Sequence, residues 1–163
     1  MSRPAIDTAP AATTELPRPR ALLLWRVLAM VYDALPVLAL WMLAGTLFTL
    51  AYTFSGHAQR ENIAPFSAWQ WLLWAVCWLV TGWYATASWR RGGQTLGMRP
   101  WRLKLESSDG APLRRTQLWL RFVVGTLSLL LGGLGFWWAW ADRQRLTWHD
   151  RASGTRVVRM PKR

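Results

Sequence analysis

An α-helical integral membrane protein is the fold class this sequence predicts, and two observations carry the prediction. Hydrophobic residues fill 52% of 163 positions while the formal net charge is +12, so apolar and basic residues must be segregated along the chain. Asp, Glu, Lys and Arg are indeed absent from Ala34 to Gln59, from Asn62 to Trp89 and from Phe122 to Ala141. A hydrocarbon core of about 30 Å needs about 20 helical residues, and each run reaches that length. The basic residues flank these runs instead of gathering on one helix, which argues against nucleic acid and for a lipid bilayer with anionic headgroups as the partner of the charge.

The length allows one domain. Residues 1–20 are polar, with Pro10, Pro17 and Pro19, and read as a mobile tail. A cleaved signal peptide is rejected, because the following apolar run exceeds a signal's length and lacks a small-x-small cleavage site. The membrane domain is expected over 21–158, followed by a short tail at 159–163. Its first apolar segment, 21–54, would extend about 51 Å as a straight helix. Pro36 is expected to bend it, separating an interfacial entry from a deeper span.

The second segment, 66–89, carries Trp69, Trp71, Trp74, Trp78, Trp83 and Trp89. A tryptophan belt at the membrane interface accounts for the outer ones, and Trp74 and Trp78 are expected to pack on neighbouring helices. Loop 90–116 is basic. Within it Trp101, Leu103 and Leu105 alternate with Arg102, Lys104 and Glu106, the period-two pattern of a half-buried strand. Thr155–Arg159 is a second short strand that would pair with it in a ribbon on the membrane surface. The third segment, 117–141, is interrupted by Gly132, Gly133 and Gly135 and reads either as a third span or as a re-entrant hairpin. Seven basic residues lie in loop 90–116 and seven follow Ala141, against one between the first two segments. This bias puts the N-terminus, the basic loop and the C-terminal tail on the cytoplasmic side, which favours the hairpin.

Two charges mark the first segment. Arg26 and Asp33 are two helical turns apart and share a face. A charge at the centre of a bilayer costs about 2.5–3.5 kcal/mol on insertion scales, so such residues seek a partner or a wet cavity. Arg121, at the start of the third segment, Arg26 itself and the arginines of the basic loop are the partners expected for Asp33. Hydration at the interface and a transported-ion site are the other readings of the pair. No metal or cofactor is expected: the chain has only His57 and His149 as histidines, and Gly93–Arg99 lacks the Lys-Ser/Thr of a phosphate loop. His149-Asp150 reads as a local hydrogen-bonded turn and the single Cys77 as a small buried apolar residue. No nucleophile has a base near it in sequence, and no enzyme is predicted.

The spacing Arg26-x-x-Ala29-x-x-x-Asp33, then Gly93-Gln94-Thr95-Leu96-Gly97-Met98-Arg99, then Asp109-Gly110 and Arg121, and finally His149-Asp150-Arg151-x-Ser153-Gly154-Thr155 resembles the RDD family of bacterial membrane proteins. That resemblance maps the family's Arg and two Asp onto Arg26, Asp33 and Asp150, and implies a multi-pass protein of the bacterial cytoplasmic membrane. It further implies transport of a cation, a proton or another small ligand. A chain this small would need copies of itself or a membrane partner to enclose a pathway. In that reading Asp33 binds the cation, Arg26 and Arg121 tune its charge, and Asp150 guards the cytoplasmic mouth. The alternative is a membrane scaffold or accessory subunit held together by the same four charges.

Overall fold

The computed structural model describes residues 22–56 and 63–161; the tail expected at 1–20 and the last two residues of the tail expected at 159–163 lie outside them. Helix α1 spans Leu23–Phe54 and continues on both sides of Pro36. At 32 residues it extends about 48 Å. Its apolar side chains face outward, with Leu35 71% and Met42 75% exposed. A helix in a soluble core would be covered, so this surface calls for lipid. Among the described residues α1 is the one helix that is long and apolar enough by itself to cross a membrane.

Helix α2, Ala68–Gly92, is started by the Ser67 hydroxyl, which accepts from the Gln70 amide, and is ended by Gly93 in the left-handed region. Its 25 residues have the reach of a span, about 38 Å. Six tryptophans and two terminal arginines make it less apolar than α1, so the second full span expected from sequence does not stand out by composition. Trp78 packs on α3, its ring 5.1 Å from that of Phe122, while its Nε1 donates to Thr126. Trp74 is half-exposed instead and meets Trp71 on its own helix. Gly82 lets α3 approach: a Cβ there would lie 2.5 Å from the Trp119 ring.

Strand β1, Leu103–Ser107, pairs antiparallel with β2, Thr155–Arg159, with Leu105 opposite Val157. Leu103, Leu105 and Ser107 alternate inward, as the period-two pattern requires. The ribbon covers a small core of Ala29, Met98 and Leu103, with Trp25, Trp89, Trp101 and Val157 around it. Arg159 lies over the Trp25 ring at 4.1 Å.

The third segment is broken. Helix α3 runs Arg115–Leu130, helix α4 runs Leu134–Ala141, and the two are bent by 97°. Gly132 and Gly133 have φ of +69° and +78°, a region that costs other residues strain and glycine very little. With 16 and 8 residues the arms extend about 24 and 12 Å, and neither alone covers a 30 Å core. The chain then turns through α5, Trp148–Ser153, which packs on α3 and leads into β2. The C-terminal strand therefore lies against the basic loop.

Candidate functional site

Asp150 is the centre of the polar interior. Thr147 caps α5 by accepting from the Asp150 amide, and the Asp150 carboxylate accepts from the Thr147 amide at 3.1 Å, a reciprocal capping box. That box fixes the carboxylate, and α1 and α3 each bring a guanidinium to it. Arg26 donates to Oδ2 at 2.6 Å and Arg121 to Oδ1 at 2.5 Å. Arg26 also donates to the Thr147 hydroxyl at 3.3 Å and Arg121 to the Thr155 hydroxyl at 2.9 Å. None of the three charged residues exceeds 7% exposure. Stripping water from such ions costs several kcal/mol each, and only good geometry with further hydrogen bonds offsets it.

Burial by itself would raise the Asp150 pKa. The guanidiniums of Arg121 and Arg26 overcome that effect and hold its carboxyl well below the ordinary 3.8. The neighbouring His149 is pushed the other way in charge: burial, then the field of Arg121, holds its pKa well below 6.5 and keeps the ring neutral. Its ring packs 4.7 Å from that of Phe136 on α4. Outside the clasp, Asp142 accepts from the Leu146 amide at 2.9 Å and pairs with Arg151, which tethers the turn leading into α5.

Asp33 does not join this cluster. The expectation of an arginine partner is replaced by three neutral donors: Tyr84 Oη and the Gly97 amide at 2.8 Å on Oδ1, and the Thr95 hydroxyl at 2.5 Å on Oδ2. The physical reason is position. Both arginines are already committed to Asp150, while the Gly97 turn rests directly on α1, so close that a Cβ at Gly97 would stand 2.1 Å from the Ala29 carbonyl oxygen. Ala29, itself small, completes that approach. Asp33 thus fastens the loop after α2 to α1, as Asp150 fastens α5.

Arg26, Asp33 and Arg121 nevertheless line one cavity of about 210 Å³, together with His149, Thr95 and a largely apolar wall that includes Met30, Phe122, Leu129 and Phe136. Four buried side-chain polar atoms among the described residues lack a hydrogen-bond partner, and two of them, Arg26 Nε and His149 Nδ1, belong to residues that line this cavity. The two guanidiniums are matched in number by two carboxylates: Asp150, which both of them hold, and Asp33, which stands on the cavity wall with them. No three His, Cys, Asp or Glu side chains among the described residues gather into a metal-sized group.

Sequence reasoning read His149 only as part of a turn and passed over Thr147, Thr155, Tyr84 and Thr95. The Thr147-x-x-Asp150 spacing is a legible capping-box signal. Tyr84 carries no local signal, since its role depends on how α2 meets α1.

Fold and site together define a helical membrane protein in which a buried Arg–Asp–Arg clasp ties a long apolar helix to a sharply bent helix pair and a two-stranded ribbon. The family model described as the RDD family matches residues 20–154. The chain belongs to the RDD family. No curated protein and no solved structure matches it.

Proposed function

We propose that this chain is a multi-pass protein of a bacterial cytoplasmic membrane that binds a small anionic ligand in the cavity beside Arg26, Arg121 and His149. In this reading α1 and α2 span the bilayer, while α3 and α4 enter and return, so both the N-terminal side of α1 and the C-terminal strand face the cytoplasm. The β1–β2 pairing supports that arrangement, because a strand on the far side of a bilayer has no access to the basic loop. A reporter fused after Pro161 checks it: cytoplasmic signal is expected, and periplasmic signal overturns the topology.

The observation that carries the ligand reading is the pair of nitrogens, Arg26 Nε and His149 Nδ1, buried without a hydrogen-bond partner in residues that line the cavity beside Arg121. A buried donor without a partner is costly and is met by water or by a ligand. The carboxylates that a cation would need are engaged: Asp150 is shared by two guanidiniums, and Asp33 accepts three hydrogen bonds. Thermal unfolding of the purified protein in nonionic detergent tests the reading. Acetate or benzoate is expected to raise the midpoint, and sodium or potassium at matched ionic strength is not. Proton-linked cation flux in vesicles that disappears in Asp33→Asn would reverse the assignment in favour of cation transport.

A scaffold role has its own specific support, the complete hydrogen bonding of Asp150. If the clasp serves assembly alone, Asp150→Asn lowers folded yield, a membrane partner co-purifies, and no anion shifts the midpoint.

A further inference from the structure

The basic loop joins the last turn of α2 to the first turn of α3, so those two helix ends lie on one side of the membrane whether or not α3 and α4 cross it. Between the two helices is a cleft of about 180 Å³ that shares no wall residue with the cavity beside Arg26. Arg90 from α2 and Arg115 from α3 both line it. Both are exposed, and neither guanidinium has an ion pair or a hydrogen-bond partner among the described residues. No carboxylate stands on the walls. The five described carboxylates are engaged elsewhere: Asp33 by its three donors, Glu106 by Lys104, Asp109 by Ser107, Asp142 by Arg151 and Asp150 by the clasp. Two like charges thus share one cleft with no counter-ion from the chain.

The rest of the wall is of another kind. Trp119 follows Arg115 by one turn of α3 and Trp83 precedes Arg90 by two turns of α2, which puts the two indoles about 6 and 10.5 Å deeper along their helices than the guanidiniums. The fully buried Leu118 is a further wall. Guanidiniums suit the depth of lipid phosphates, and indoles suit the glycerol and ester layer beneath them. We propose that this cleft seats one anionic phospholipid of the phosphatidylglycerol type, its phosphate bridged between Arg90 and Arg115 and its glycerol against Trp83 and Trp119. A phosphodiester offers acceptor oxygens to both planar forks and supplies the missing counter-charge. Phosphatidylcholine has the same phosphate, but its choline would bring a third positive charge to the pair. Free phosphate has the charge and nothing for the tryptophan wall. The site is independent of any ligand in the cavity beside Arg26.

The test is native mass spectrometry of the full chain in nonionic detergent, with dioleoyl phosphatidylglycerol, dioleoyl phosphatidylcholine and inorganic phosphate as probes. The first phosphatidylglycerol is expected to bind at roughly tenfold lower concentration than the first phosphatidylcholine. Arg90→Gln with Arg115→Gln is expected to erase that preference. Arg99→Gln with Arg156→Gln, which removes the same charge from exposed positions outside the cleft, is expected to keep it. Arg90→Lys with Arg115→Lys retains both charges and is expected to retain most of the preference, which separates lost binding from lost folding. Equal loss in the two glutamine variants overturns the site in favour of diffuse surface charge. Phosphatidylcholine binding as tightly as phosphatidylglycerol overturns the role of the two arginines. Inorganic phosphate displacing the lipid at equal concentration overturns the lipid and leaves a phosphate site.

Discussion

Arg26 and Asp33 sit two turns apart on the same face of α1, and each ties a later segment of the chain to that helix by different chemistry. Arg26 reaches Asp150 on α5, where Arg121 converges from α3 and everything is buried. Asp33 takes neutral donors from α2 and the following turn. The first contact concentrates opposite charges in a dry place, so its cost is high if one partner goes missing. The second spreads one charge over three hydrogen bonds, so losing one leaves two. Charge clasps are therefore brittle and donor cradles are graded.

Asp150→Asn breaks the brittle side most severely. Two buried guanidiniums lose their counter-ion, and denaturant unfolding in nonionic detergent is expected to show a loss of about 3–5 kcal/mol. Acid reaches the same contact without mutation. Both Asp150 and His149 have folded pKa values below their unfolded ones, so the folded state takes up fewer protons than the unfolded state as pH drops. Their contribution is full above the unfolded values and is lost as pH falls. The melting temperature should be flat above about pH 7, decline as pH passes below 6.5, the ordinary value for His149, and decline again below 3.8, the ordinary value for Asp150. His149→Asn should remove the first decline and keep the second.

The cradle yields smaller effects. Gly97→Ala forces a Cβ against the Ala29 carbonyl and Asp33 and should cost about 1–3 kcal/mol, read as faster protease cleavage within residues 93–114. Tyr84→Phe removes one of three donors and should cost only about 1 kcal/mol, read as a small shift of the melting midpoint. A Tyr84→Phe loss as large as that of Asp150→Asn would erase the contrast between the two anchors.

Much of the scaffold was legible because it is written in composition and periodicity. The length and apolarity of α1 follow from one long uncharged run, the break near Gly132-Gly133 from the glycines themselves, and the ribbon from strict alternation at Trp101–Glu106. The short α5 was not foreseen, since six residues are too few to show helical periodicity. Of the four singled-out charges, Arg26, Arg121 and Asp150 meet, and Asp33 does not. Asp150 entered only through the family resemblance: the Thr147-x-x-Asp150 spacing marks a helix cap, and nothing local points its carboxylate at two arginines. Asp33's partners were illegible for a physical reason: a tyrosine 51 residues away and a backbone amide 64 residues away reach it only once two helices and a turn have packed.

The span of chain closed by the clasp also bears on how the protein is made. When a ribosome has delivered residue 100 into the membrane, Asp33 and all three of its donors exist, and that anchor is free to close. Arg26 must still wait for Asp150, 124 residues downstream of it. Through most of synthesis the nascent chain carries, near the start of its first helix, an arginine whose counter-ion has yet to be made. A chain that stops short of Asp150 keeps Arg26 without that counter-ion.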